Sequence, residues 1–320
     1  MSSFTRGSSN VDDLLSSTLD IYRNDLFEQW AKGNIVTKKL FKDGSIREVD
    51  GGNDIVEHIN YQKGNTAAWT AKNGTVSVAP NQQFTDATFP LVMLMGSVVL
   101  YDWEEAQNAG KSKMFDLLEA RLSNLREEMD QAFESAVISA VTPNTNTVWS
   151  LLDIVDASNP GIGNYGQIDR ANAYWQATET ASGSMATQGL EDMRTAFMSV
   201  SKGLTDPVNL LLTTQTLYTA YQARLTPVER LAQGDKGDLE FDSLAFHGKP
   251  LVFSEVCASG VLLGLNTKYL KLVVNKNMKF KNQPFVRSQG GINKASIVQL
   301  MCQLVCTRPA SNFKLTGMTA

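Results

Sequence analysis

The chain has 320 residues, of which 42% are hydrophobic, so it can bury a core in one large or two smaller domains. Its formal net charge of −4 is too small to predict strong attraction to nucleic acid or to an anionic membrane. With no long apolar run, no signal-peptide pattern and only three cysteines, we expect no membrane span, no secretion and no disulfide framework, and synthesis in a reducing cytoplasm.

The first 40 residues contain one amphipathic pattern. Its spacing predicts a helix that begins at Asn10 and carries a single apolar face, formed by Leu15, Leu19, Tyr22, Leu26 and Trp30. This pattern suits a helix packed on its own domain, and an arm that reaches a neighbouring subunit is the alternative.

Residues 41–90 differ in composition from the rest of the chain. No leucine or methionine occurs between Leu40 and Leu91, and turn signals such as Asn73-Gly74 separate short strand-like pieces at 46–49, 55–61 and 75–78. The segment predicts a polar hairpin, with Trp69 as its candidate anchor. Because a hairpin with little to bury is marginal alone, we expect it to lean on its own domain or on another chain. On this interpretation, deleting residues 50–85 leaves a folded subunit that no longer assembles.

An apolar strand at 91–100 and a short helix at 101–109 precede a long helix predicted over 113–141, which Thr142-Pro143 ends. Its apolar residues fall on one stripe with an eleven-residue repeat: Met114, Leu118, Leu122, Leu125, Met129, Phe133, Ala136 and Ala140. That period does not require a coiled-coil supercoil, so the helix is predicted to be straight and to lie across a flat surface.

After a polar stretch at 143–187, the pattern predicts a compact α/β unit that ends near residue 265. Two long strands follow, at 269–280 and 297–307, and this C-terminal hairpin is the expected flat partner of the long helix. The lysines of the first strand alternate between its two faces. They favour a solvated edge strand, with a modest role at a subunit contact as the alternative.

The sequence offers little chemistry. His58 and His247 read as surface or turn residues, and Gly110-Lys111-Ser112 lacks the glycine that a phosphate loop requires, because Glu105 occupies that position. Cys302 and Cys306 lie four residues apart in a predicted strand, about 13 Å, which is too far for a bridge. We therefore predict no catalytic residue, no cofactor and no metal site. An α+β enzyme is the weakest alternative.

Five segments in order resemble one family. They are 49–69 (VDGGNDIVEHINYQKGNTAAW), 108–121 at the start of the long helix, 166–170 (GQIDR), 246–254 (FHGKPLVFS) and 302–317 (CQLVCTRPASNFKLTG). Together they resemble the major capsid proteins of tailed double-stranded DNA bacteriophages, which have the Hong Kong 97-type fold.

The resemblance implies an α+β fold with five parts. They are an N-terminal arm (1–40), an extended E-loop hairpin (41–90), a peripheral domain with the long spine helix (91–144), an axial domain (145–265) and long peripheral strands (266–320). It also implies a structural protein, made in the host cytoplasm, that self-assembles into pentamers and hexamers as the icosahedral head shell around packaged double-stranded DNA in the virion. An encapsulin-like nanocompartment shell is the alternative.

The resemblance also implies partners. We expect the chain to contact itself, a portal protein, DNA without sequence specificity and, optionally, a decoration protein. About 35 residues before the hairpin region leave no room for an internal scaffold, so a separate scaffolding protein is expected. No covalent crosslinking is expected. The candidate inter-subunit contacts are Trp30, Arg47, Glu48, Trp69, Asp169, Arg170 and Trp175.

Overall fold

The computed structural model describes residues 35–62, 67, 69–72, 74–75, 82–101, 103–104, 111–138, 146–156, 164–201, 206–225, 244–287 and 293–320, with the side chains of the long helix described from residue 120. The predicted N-terminal helix with Trp30, all but the first residue of the strand at 75–78 and most of the helix at 101–109 lie outside these residues. The described helices are α1 (Ile35–Lys42), α2 (Lys111–Ile138), α3 (Leu151–Ile154), α4 (Leu190–Val200) and α5 (Gln215–Arg224).

Within the described residues, the strands form two six-stranded sheets and two small two-stranded ones. The strands of the first half are β1 (Ile46–Val49), β2 (Asp54–Asn60), β3 (Phe84–Pro90), β4 (Val92–Tyr101), β5 (Asn164–Tyr165), β6 (Ile168–Asp169), β7 (Thr178–Ala181) and β8 (Leu210–Thr213). Those of the second half are β9 (Leu244–Phe246), β10 (Lys249–Phe253), β11 (Leu262–Leu265), β12 (Leu270–Asn275), β13 (Lys281–Asn282), β14 (Val286–Arg287), β15 (Asn293–Cys306) and β16 (Phe313–Thr316).

The first sheet is built around the 14-residue strand β15. Strand β4 pairs antiparallel along one edge of β15, while β12, β13 and β14 pair along the other, so Cys302 lies between Val92 and Val274. Strand β1 then pairs parallel to β12. Strand β12 is therefore an interior strand, and the prediction of a solvated edge strand is wrong.

The predicted strand at 269–280 is shorter than the sequence pattern suggested. It ends at Asn275, whose side chain accepts a hydrogen bond from the Asn277 amide at 2.9 Å and caps a 3₁₀ turn over Lys276–Met278. An asparagine that bonds its own backbone two residues on offers the chain an alternative to the sheet ladder. Only β15 is a long C-terminal strand.

The long helix α2 lies across the first sheet and packs on one face of strand β4. Within its described side chains, the predicted stripe is buried at Leu125, Met129 and Phe133, while Met114, Leu118 and Ala140 lie outside those described. A methyl group added at Gly96 in β4 would overlap the Leu125 side chain, so the glycine permits the close approach. The helix thus packs on a flat sheet, as predicted. The strand that it contacts is β4, and not a strand of the C-terminal hairpin.

The second sheet, in the order β7-β16-β11-β8-β10-β9, is the centre of the α/β unit that the sequence predicted. Every residue of β8 and of β11 is buried. Helices α4 and α5 supply Phe197 and Tyr221 to the core beside this sheet, where the Phe197 and Phe246 rings lie 5.8 Å apart.

The packing of α1 and the pairing of two strands differ from the predicted domain boundaries. Val36 and Leu40 of α1 are buried in the main core, so the folded body includes the end of the predicted arm (1–40). Strand β1, predicted within the hairpin segment 41–90, belongs to the first sheet. Strand β16, predicted within the peripheral segment 266–320, pairs with β7 and β11 in the second sheet.

The packing of α2 on β4 predicts the effect of truncating Leu125, which is 7% exposed. Leu125→Ala is expected to lower the free energy of unfolding by about 2–5 kcal/mol, because it leaves a cavity beneath the helix. Urea unfolding of the unassembled subunit measures this. Glu128→Ala, an exposed position on the same helix, should change it by less than about 0.5 kcal/mol. Equal effects of the two substitutions would contradict the packing described here.

Candidate assembly surfaces

The hairpin formed by β2 and β3 has one face packed on its own subunit. Ile55 and Ile59 of β2 and Ala87 and Phe89 of β3 are buried at every second position. Two of these four residues lie within 50–85. Deleting that segment would therefore remove part of the core, so the premise that the hairpin buries little within its own subunit is wrong.

The buried face of the hairpin rests on the turn between β5 and β6. Phe89 lies 5.0 Å from the Tyr165 ring, centroid to centroid. Gly166 follows with φ +59°, and a methyl group added there would lie 2.6 Å from Phe89 Cζ. The turn needs glycine for both reasons: its backbone is left-handed and its neighbour is close.

Tyr165 connects three parts of the subunit. Its ring stacks on Trp175 at 5.7 Å, its carbonyl accepts a hydrogen bond from Trp175 Nε1 at 2.9 Å, and its hydroxyl accepts one from the Cys306 amide of β15 at 2.8 Å. Burial raises the pKa of the Tyr165 hydroxyl well above its ordinary value, so the group stays protonated. Trp175 is 1% exposed in this cluster. Its prediction as an inter-subunit contact is therefore wrong.

Arg170 is also turned inward, with 6% of the residue exposed. Its NH1 donates to the Asp156 carbonyl at 2.7 Å, and its guanidinium lies 5.5 Å from the centre of the Tyr165 ring. Burial lowers the pKa of Arg170, and Asp156 opposes that shift. The structure gives Arg170 an internal role, contrary to its prediction as a subunit contact. Its neighbour Asp169 is exposed and stays a candidate contact.

The root of the hairpin is held by a carboxylate shared between two cations. Glu57 on β2 has a side chain 9% exposed; its Oε1 lies 2.6 Å from Arg47 NH1 and its Oε2 lies 3.1 Å from Lys271 Nζ. Arg47 is on β1 and Lys271 is on β12, so the pair ties the hairpin to the edge of the first sheet. A buried carboxylate is stabilised when both its oxygens have charged donors.

Two further lysines of residues 268–281, a basic segment with five lysines, reach the same root. Lys279 Nζ lies 2.6 Å from Glu48 Oε1, and Lys276 Nζ lies 3.8 Å from Asp50 Oδ1. The predicted contact candidates Arg47 and Glu48 thus have partners inside their own subunit. Both side chains are still about half exposed, at 51% and 43%.

The other face of the hairpin points away from the subunit and carries apolar residues. Val56 is 49% exposed and Phe84 is 60% exposed. His58 and Asp86 lie directly across from one another on this face, with His58 Nδ1 2.5 Å from Asp86 Oδ1. Trp69, between the two strands, is fully exposed at 105%. Trp69 therefore anchors nothing within its own subunit.

A second apolar surface lies on the first sheet, on the side opposite to α2. The outward residues of β4 include Met93, Met95 and Tyr101, which are 38%, 60% and 49% exposed. They lie beside half-buried Met301 and Asn293 of β15 in the strand register. Exposed apolar residues grouped in this way mark a surface suited to a protein partner.

Both histidines and all three cysteines lie in the described part of the chain. Within that part, no group of three His, Cys, Asp or Glu residues could hold a metal ion, and no helix is long and apolar enough to cross a membrane. Burial raises the pKa of the Cys302 and Cys306 thiols to about 12, which suppresses the thiolate that reactive cysteines need. His247 stacks on the Phe197 ring at 5.2 Å, in a turn between β9 and β10.

Comparison with solved structures identifies the architecture. The chain superposes on the capsid protein of cyanophage A-1(L) with a TM-score of 0.59 at 14% identity, covering 86% of this chain and 91% of that one. It matches the capsid of a native GTA particle with a TM-score of 0.59 at 12% identity, covering 87% and 89%. It matches the SrpI encapsulin of Synechococcus elongatus PCC 7942 with a TM-score of 0.52 at 14% identity, covering 86% of each. No family model and no curated protein matches the sequence.

The chain has the Hong Kong 97-type capsid fold. The α+β fold class predicted from the sequence is confirmed, because the matches span nearly the whole of each chain. In this fold, the hairpin β2–β3 corresponds to the predicted E-loop and α2 to the predicted spine helix.

The seat of the hairpin on the β5–β6 turn predicts a large effect for Gly166→Ala. Alanine disfavours the left-handed backbone of this position, which lowers the free energy of unfolding. Overlap of the added methyl group with Phe89 is expected to lower it further, by about 1–3 kcal/mol. Gly248→Ala is the matched control, since its φ is +74° and no atom lies within 4 Å of the added methyl. Unfolding free energies of the two variants give the difference, and equal losses would contradict the close packing at Gly166.

The shared carboxylate predicts that Glu57→Gln lowers the free energy of unfolding by about 1–3 kcal/mol, because two cations lose a charged acceptor. Asp50→Asn is the control: its side chain is 90% exposed and its pair with Lys276 is long, so we expect a change below about 0.5 kcal/mol. Urea titrations at low and high salt should show the Glu57 effect shrinking with salt. A Glu57→Gln variant as stable as the parent would contradict this account of the root.

Proposed function

We propose that this chain is the major capsid subunit of a tailed bacteriophage, which self-assembles into pentamers and hexamers as the icosahedral head shell around packaged double-stranded DNA. The observation that carries the proposal is the match of nearly the whole chain to phage capsid structures. The exposed apolar face of the hairpin supports it, since surface of this kind gains free energy when a second copy covers it. Many weak contacts of one type sum to a stable shell.

The partners belong to the same proposal. The mild net charge of −4 suits a shell that confines DNA without gripping it, because tight binding needs many Lys or Arg contacts to phosphates. We propose a separate scaffolding protein and a portal as assembly partners, a decoration protein as an optional one, host-cell cytoplasm as the place of synthesis and the virion as the final location.

An encapsulin-like shell is the second candidate, because the SrpI encapsulin matches the chain over 86% of its length. The two candidates differ in contents rather than in subunit fold. A phage head contains DNA, whereas a nanocompartment contains a protein cargo.

The proposal is tested by expressing the chain alone and together with candidate scaffolding proteins, followed by electron microscopy. We expect closed shells with pentameric and hexameric capsomers. Nuclease-protected DNA in particles from infected cells would support the phage head, and a protein cargo would support the encapsulin-like alternative. A chain that stays monomeric under all of these conditions contradicts both.

A substitution at Trp69 tests assembly independently of folding. Because the side chain is fully exposed in the subunit, Trp69→Ser should leave the unfolding free energy within about 0.5 kcal/mol of the parent. We expect it to reduce the assembled fraction in sedimentation, since Trp is enriched among residues that dominate interfaces.

The conservative variant Trp69→Phe is the matched control and should restore most of the assembly. If Trp69→Ser assembled like the parent, the hairpin tip would not be a subunit contact. If it unfolded instead, Trp69 would belong to the subunit core.

A further inference from the structure

An open cavity of about 550 Å³, lined by polar and charged residues, lies where the first sheet meets the second. Its walls come from the turn after α1, from strands β1 and β12, from the residue before β8 and from the link between β11 and β12. The lining residues are Asp43, Gly44, Ser45, Arg47, Asn209, Thr267, Lys268 and Lys271.

The walls of this cavity are fixed by hydrogen bonds between distant parts of the chain. Asn209 Nδ2 donates to Thr267 Oγ1 at 2.6 Å, and the Thr267 hydroxyl donates to the Asp43 carboxylate. Ser45 Oγ donates to the Thr267 carbonyl at 3.2 Å. Since these bonds join residues more than 50 positions apart, the cavity is formed before any ligand enters, and binding requires little ordering of the protein.

Three of the four charged side chains in the lining are cationic, and their carboxylate partners are shared. Glu57 serves both Arg47 and Lys271. Asp206 lies 2.6 Å from Lys268 Nζ and 3.7 Å from Arg308 NH1. The lining carboxylate Asp43 is paired with Lys39 at 3.2 Å. Counted together, these groups are five cations and three carboxylates, so the cavity and its immediate partners keep a net positive charge.

We propose that this cavity binds a phosphate group, supplied either by a free phosphate ion or by the backbone of a nucleic acid. A phosphate has several oxygens in a tetrahedral arrangement and can meet Arg47, Lys268 and Lys271 from different directions, whereas a carboxylate has two oxygens in one plane. The arginine fork matches phosphate geometry, and the two lysines act as point charges. A phosphate bound here bridges residues from both sheets and holds them together.

The test is calorimetric titration of the unassembled full chain with inorganic phosphate, pyrophosphate and a short duplex DNA, so the result does not depend on whether a shell forms. We expect saturable binding at one site per chain. Lys268→Gln should weaken it by about 10-fold or more, the value of one charged hydrogen bond. Lys276→Gln makes the same charge change in the same basic segment but lies outside the lining, and should weaken binding by about 2-fold at most.

Comparing the three titrations identifies the source of the phosphate. Binding of phosphate or pyrophosphate that depends on Lys268 supports a free ion, and binding of DNA alone with the same dependence supports the nucleic-acid backbone. Should Lys268→Gln lower the melting temperature, Lys271→Gln is the second variant and should give the same loss of binding. The proposal is overturned if none of the three ligands binds, or if Lys276→Gln loses as much affinity as the cavity variants.

Discussion

Strand β15 is the constraint on which the rest of the subunit depends. It is hydrogen-bonded along both edges, to β4 on one side and to β12, β13 and β14 on the other. Helix α2 is seated on β4, and the end of β15 donates the Cys306 amide to Tyr165. The chain then enters the second sheet through β16. The spine helix, the hairpin seat and the second sheet are therefore all positioned relative to one paired strand, which has no free edge along which to slip.

The two faces of the β2–β3 hairpin have different roles, since one is buried within the subunit and the other is exposed. Its inner face is held by apolar packing around Phe89 and by the shared carboxylate of Glu57, and both interactions lie within one subunit. Its outer face, with Val56 and Phe84, contributes little to that packing. Because side chains alternate between the two faces of a strand, a single pair of strands can serve the subunit on one side and a neighbour on the other. On the proposed function, a subunit is thus stable before it meets its neighbours.

Local periodicity predicted the elements well and their partners poorly. The stripe at Leu125 and Phe133 follows from helical spacing, and the buried strand β8 follows from its apolar run. Membership of a sheet is set by contacts across the chain: β1 covers β12 from more than 200 positions away. Trp69 and Trp175 both lie in polar segments, yet one is fully exposed and the other buried, because only Trp175 meets Tyr165. The capsid fold was predicted from five segments that resemble a known family in the same order. Such a resemblance predicts strand order, whereas the spacing of apolar residues predicts only single helices and strands.

The lysines of the basic segment also depend on contacts across the chain that their sequence spacing does not predict. Alternation places its lysines on both faces of the chain, which argues against a single phosphate-binding stripe. Folding nevertheless gives them defined partners. Lys271, Lys276 and Lys279 meet carboxylates of the hairpin root, and Lys268 meets Asp206. Lys268 and Lys271 also line the cavity at the junction of the two sheets. Arg47 arrives at that junction from a separate strand. Charges that look dispersed in sequence are thereby gathered at two adjoining places, the ion pairs of the hairpin root and the cavity, and Arg47 and Lys271 belong to both.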